Sequence, residues 1–136
     1  MEKRKVNAVI EKAPDGSYSI YMDTSDMDYL TTGTGMTVAE AKADFETAYD
    51  DIRKEYAAKG KYFEEVEFNY IYDIPSFLQE YAYAFTLAGL ERITGVNQKQ
   101  LGHYISGYRK PSPRTAKKIQ EGINAFCKQL STIHFA

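Results

Sequence analysis

The sequence predicts an α+β fold in two parts: strands around a single helix over residues 1–74, then an all-α bundle over residues 75–136. Three observations carry this. Apolar spacing changes from alternation to steps of three and four at Asp73-Ile74-Pro75-Ser76. Charge changes sign at the same place: residues 1–75 hold 9 Lys+Arg and 16 Asp+Glu, net −7, whereas residues 76–136 hold 8 and 3, net +5. A length of 136 residues accommodates two small units, and 43% hydrophobic with 26% charged residues is the composition of a folded globular chain.

The elements follow in order. Val6, Ala8 and Ile10 alternate with Asn7, Val9 and Glu11, which predicts a strand over Arg4–Lys12. Ala13-Pro14-Asp15-Gly16 is a turn, because Pro presets φ and Gly accepts a positive one. Tyr18, Ile20 and Met22 alternate again and close a hairpin. Asp23–Asp28 is an acidic loop, and Tyr29–Thr34 is expected as a short third strand. Thr37-Val38-Ala39-Glu40 fits a capping box. Behind it, Val38, Ala41, Phe45, Ala48, Ile52 and Tyr56 form one apolar helical stripe that ends at Lys59-Gly60. Val66, Phe68, Tyr70 and Tyr72 alternate in a fourth strand, so the first part reads β-β-β-α-β.

In the second part Phe77, Leu78, Tyr81 and Phe85 predict a short helix. Leu87, Leu90 and Ile93 predict another, stopped by Gly95. Leu101, Tyr104 and Ile105 predict a third, stopped by Gly107. Ala116, Ile119, Ile123, Phe126 and Leu130 predict a long last helix opened by Ser112-Pro113. Cys127 is expected as a small buried hydrophobe.

Several function classes lose support here. One cysteine allows neither an intramolecular disulfide framework nor a Cys-based zinc site. No apolar run approaches the ~18 residues of a membrane span, and a reducing, cytoplasmic setting is expected. His103 and His134 are the only histidines, and neither joins a Ser/His/Asp or Cys/His arrangement, so no enzyme, metal or cofactor is expected. Thr32-Gly33-Thr34-Gly35 lacks the Lys of a phosphate-binding loop and reads as a strand edge running into a helix cap.

The informative segment is Leu90–Arg114. A helix ends, Gly95 turns the chain, and a new helix starts with Asn97 as N-cap and Gln100 three residues on, a capping-box arrangement. This is helix-turn-helix spacing. Gln98, Lys99, Gln100 and His103 would project from the first turns of the second helix, where Gln suits an adenine edge and Lys a guanine edge or phosphate. The amides of that helix N-terminus would face phosphate. Gly95-Val96-Asn97-Gln98, then Leu101, Tyr104, Gly107 and Arg109-Lys110-Pro111-Ser112-Pro113, resemble the Cro/C1-type (XRE) helix-turn-helix family over about residues 85–130. The resemblance implies that Asn97, Gln98, Lys99 and His103 face double-stranded operator DNA, and that Arg109, Lys110 and Arg114 hold phosphates. Glu91 and Thr94 depart from that pattern, which has a small and an apolar residue there. Readers of this kind usually dimerise, so a homodimer or higher oligomer is expected.

Ile10-Glu11, Asp15-Gly16-Tyr18 and Gly35–Ala41 resemble the HicB antitoxin family over about residues 5–75. The resemblance implies a partial ribonuclease-H-like fold without nuclease activity and a HicA-like toxin partner, a small basic RNA-cleaving protein. Asp23, Asp26, Asp28, Asp44, Asp50 and Asp51, together with Glu64, Glu65 and Glu67, are the candidate toxin-binding residues, since an acidic surface competes for a phosphate-binding one. The expected function is therefore that of a type II antitoxin that represses its own operon. The alternatives are a stand-alone helix-turn-helix regulator with a ligand-sensing first domain and a residual metal-dependent nuclease built on Asp23, Asp26 and Asp28.

Overall fold

A computed structural model describes residues 2–136 as two compact units, one ending at Asp73 and the next beginning at Ile74. The first unit contains β1 (Arg4–Lys12), β2 (Tyr18–Met22), β3 (Thr32–Gly35), α1 (Val38–Ala58) and β4 (Val66–Tyr72). These strands form one sheet in the order β3-β2-β1-β4. β1 pairs antiparallel with β2, with Ile10 opposite Ile20, and parallel with β4, with Ala8 opposite Tyr70. The chain from β1 to its parallel partner β4 runs through β2, β3 and α1, and α1 carries it across one face from the β3 edge to the β4 edge.

Alternation decides what α1 covers. Val6, Ala8, Ile10, Ile20 and Met22 are buried against Ala41 and Phe45 of the helix. Phe68 and Tyr70 of β4 meet the Phe45 ring edge-on, at 4.7 and 6.0 Å. The opposite face carries Lys5, Asn7, Glu67 and Asn69, and Asn69 Nδ2 donates to Asn7 Oδ1 at 3.1 Å. The Thr37 hydroxyl caps α1 by accepting from the Glu40 amide. The Glu40 carboxylate reaches back to the Met36 amide, one residue before the cap.

The third strand starts three residues later than the sequence predicts. Tyr29 leaves the strand because its ring stacks on Phe63 at 4.5 Å and its hydroxyl donates to the Glu64 carbonyl at 2.6 Å. Burial raises its pKa. Thr31, 1% exposed, then anchors the chain by donating from its hydroxyl to the Phe45 carbonyl. Gly33 answers to packing: a Cβ there would lie 2.5 Å from the Ala41 carbonyl oxygen and 2.7 Å from Phe45 Cα.

The second unit contains α2 (Ile74–Glu80), a short 3-10 turn (Ala82–Ala84), α3 (Leu87–Thr94), α4 (Gln98–Ile105) and α5 (Pro113–Ser131). Leu78, Leu90, Val96, Leu101, Tyr104 and Ile119 form its core. The predicted first helix stops at Glu80, and Phe85 is extended because Thr86 must cap α3 by accepting from the Gly89 amide. Cys127 is exposed, contrary to the sequence expectation. At about 100° per residue it lies roughly 80° around α5 from the buried Ile119. Among the described residues no helix is long and apolar enough to cross a membrane.

Gly33→Ala should destabilise the chain by about 3 kcal/mol, the upper range for overpacking, because the atoms in the way are backbone. Urea unfolding followed by far-UV circular dichroism measures this. A loss below about 0.5 kcal/mol would show that α1 does not rest on β3 as described.

Candidate nucleic-acid interface

Three residues, Gly95, Val96 and Asn97, separate α3 from α4. Gly95 takes φ 73°, a left-handed value that favours glycine, and its amide donates to the Glu91 carbonyl at 2.7 Å. Its carbonyl accepts from Lys118 Nζ of α5 at 3.1 Å. Val96 is buried, and its amide donates to the Thr94 hydroxyl at 3.1 Å. The same hydroxyl donates to the Leu90 carbonyl at 2.7 Å. Thr94, 5% exposed, is thus a polar pin in the turn, and a hydrocarbon side chain there could not hold the Val96 amide.

Glu91, the other departure from the family pattern, also works in the turn. Its carboxylate accepts from the Gln98 amide at 2.9 Å. Asn97 caps α4 through Oδ1, which accepts from the Lys99 amide at 2.8 Å. Two expectations change accordingly. The second cap on α4 comes from Glu91, seven residues back, and the Gln98 and Lys99 amides are bonded to side chains instead of facing a phosphate. A half-buried carboxylate at this end also opposes an anion there.

Leu101 and Tyr104 turn into the core and fix which way α4 faces. Gln98, Lys99 and Gln100 are exposed on its first turn. His103, four residues after Lys99 and on the same side, is half-buried, with its ring edge-on to Tyr108 at 5.0 Å. The chain then turns at Gly107, and the Arg109 amide donates to the His103 carbonyl at 3.2 Å. The Arg109 guanidinium lies over the Tyr108 ring, 5.7 Å from its centre. His103 of α4, Tyr108 and Arg109 therefore form one contiguous cluster. Lys110 and Arg114 are exposed further along, with Arg114 in the first turn of α5. Gln79 of α2 holds the far end of α4 by donating to the Ile105 carbonyl at 2.6 Å.

The acidic candidates of the first unit differ from one another. Asp26 accepts from the Thr24 hydroxyl at 2.6 Å and pairs with Arg4, and these contacts lower its pKa. Glu64 shares Arg4 at 2.9 Å. Asp50 is held low by a hydrogen bond from Arg53, with Lys54 at 3.1 Å adding to it. Asp44 accepts from the Thr34 amide at 2.9 Å. Asp23, Asp28, Asp51, Glu65 and Glu67 are exposed and pair with no cation among the described residues. No group of three or more His, Cys, Asp or Glu among the described residues is placed to hold a metal ion.

The role of Thr94 and Glu91 carried no signal in periodicity; the sign of it was two polar residues at positions flanking a glycine turn. Thr94→Val should cost about 1–3 kcal/mol by stranding the buried Val96 amide, whereas Thr94→Ser should cost less because the hydroxyl remains. Thermal unfolding of the two variants checks this, and equal losses would refute the pinning role. Comparison with family models, curated proteins and solved structures matched nothing, so the fold and the turn stand on this chain's own geometry.

Proposed function

We propose that this chain is a HicB-like antitoxin of a type II toxin-antitoxin system. On this reading the acidic unit is a partial ribonuclease-H-like domain that sequesters a small basic RNA-cleaving toxin in the cytoplasm. The basic unit is a Cro/C1-type helix-turn-helix that binds operator DNA as a homodimer or higher oligomer and represses its own operon.

The observation that carries the reading is the exposed first turn of α4. It offers Gln98, Lys99 and Gln100, with His103 on the next turn, on a helix whose rear face is anchored by Leu101 and Tyr104. Glutamine and lysine recognise base edges in the major groove. The +5 net charge of the second part supplies the non-specific attraction that any duplex binder needs. Arg109, Lys110 and Arg114 follow in a loop and helix start that suit phosphate contacts. The toxin half of the reading is supported by the −7 net charge of the first part and by five exposed, unpaired carboxylates among its candidates. It also accords with a mixed sheet that has one helix on one face.

Two variants separate the roles on DNA. Gln98→Ala/Lys99→Ala should weaken binding to the promoter of its own operon by roughly tenfold or more and blunt its preference over unrelated duplex. Arg109→Ala/Lys110→Ala should weaken binding to all duplexes alike and lower the slope of log affinity against log salt by about 2. Titration across a salt series measures both. Unchanged affinity and preference in the first variant would refute the assignment of α4 as the reader. The antitoxin role is tested by co-expression with the product of the neighbouring gene: the expected outcome is that this product is a small basic protein, that it arrests growth alone, and that this chain rescues growth.

A further inference from the structure

The sheet has two outer strands, and they are finished differently. β3 is four residues long, and the Asp44 carboxylate occupies the Thr34 amide at 2.9 Å. β4 is seven residues long. The Asp73 amide donates inward to the Ile10 carbonyl at 3.3 Å. Amide direction alternates along a strand, so the amides of Phe68 and Tyr70 turn outward. Val66 belongs to the same outward set, and its amide donates to the Tyr49 hydroxyl at 3.1 Å instead of to β1. Beyond Val66, no side chain among the described residues bonds the Phe68 or Tyr70 backbone.

The defences of this edge are selective. Val66–Tyr72 contains no Pro, Lys or Arg, and its one charged side chain is Glu67, which repels an acidic strand and not a basic one. It is backed by packing as well: Phe68 and Tyr70 lie edge-on to Phe45, and the Tyr70 hydroxyl donates to Glu46 at 3.1 Å. Its charge is one-sided. From Phe63 to Asp73 there is no cation, while Glu65 and Glu67 are exposed. Lys5, the register neighbour of Glu67 on β1, makes no ion pair with it. A second copy pairing along this edge would line one seam with Glu65 and Glu67 of both chains and no cation from residues 63–73, which opposes self-association.

We propose that the β4 edge is the docking site for an extended basic segment of the partner protein. The segment adds as a strand through the Phe68 and Tyr70 amides and carbonyls, and its Lys or Arg side chains meet Glu65 and Glu67. The inference rests on the antitoxin reading and names how that partner is held.

The test uses the full chain with the product of the neighbouring gene, which the antitoxin reading expects to be a small basic protein. Complex formation should slow hydrogen exchange at the Phe68 and Tyr70 amides at least about tenfold. Glu65→Lys/Glu67→Lys should weaken the complex about tenfold at low salt and leave the circular dichroism spectrum unchanged. A complex that forms with unaltered exchange at those amides and unaltered affinity in the variant overturns this docking site and leaves the antitoxin reading intact. No complex and no growth rescue overturns both. Protection of the same amides that rises with concentration of this chain alone assigns the edge to a second copy and overturns the basic-strand occupant.

Discussion

The candidate reader depends on one constraint: a three-residue turn carries backbone groups that the core would otherwise strand. Four amides in and beside it have named acceptors. Gly95 donates to the Glu91 carbonyl, Val96 to the Thr94 hydroxyl, Gln98 to the Glu91 carboxylate and Lys99 to Asn97. The Gly95 carbonyl takes Lys118. With these bonds made, Val96 can be buried beside Leu90 and Leu101, and that burial fixes how α4 turns about its axis. The orientation of Gln98, Lys99 and His103 is therefore set by polar bookkeeping behind the helix as much as by its apolar stripe.

Much of the fold was legible because burial leaves a period. β1, β2 and β4 begin and end where alternation begins and ends, and α1 follows its stripe from Val38 to Ala58. Periodicity failed where a single residue answered to a distant partner. Tyr29 looks like the start of a strand, yet Phe63 and the Glu64 carbonyl take it elsewhere. Phe85 continues a helical spacing, yet the cap at Thr86 requires extended backbone before it. Cys127 lies close to an apolar stripe and still faces outward. Strand order and the parallel β1–β4 pairing have no local signal at all, since they arise from which residues meet across sixty positions. Of the candidate site, the exposed residues of α4 were readable from register, whereas Glu91 and Thr94 read only as departures from a family pattern.

Charge totals and usable charge are different quantities. The first part carries −7, but Arg4 holds Asp26 and Glu64, Arg53 and Lys54 hold Asp50, and Lys59 holds Glu55. These pairs are exposed, so their contribution to stability is small. Their larger effect is local: they neutralise the field around those acids. The remaining attraction for a cationic surface comes from Asp23, Asp28, Asp51, Glu65 and Glu67, of which the last two stand beside β4.

If α4 is the proposed reader, its N-terminus distinguishes two ways of binding DNA. A helix N-terminus with open amides takes a phosphate well and is indifferent to sequence. Here the first amides are already bonded, one of them to a carboxylate, so a phosphate gains little at that point and meets an opposing charge. On the proposed reading, attraction to the DNA backbone falls to Arg109, Lys110 and Arg114, beyond the end of α4. Arg109 is steered by the Tyr108 ring, which itself packs on His103. A duplex held from that side leaves the side chains of the first turn free to address base edges, a division between positioning and reading that a phosphate seated on the helix end would remove.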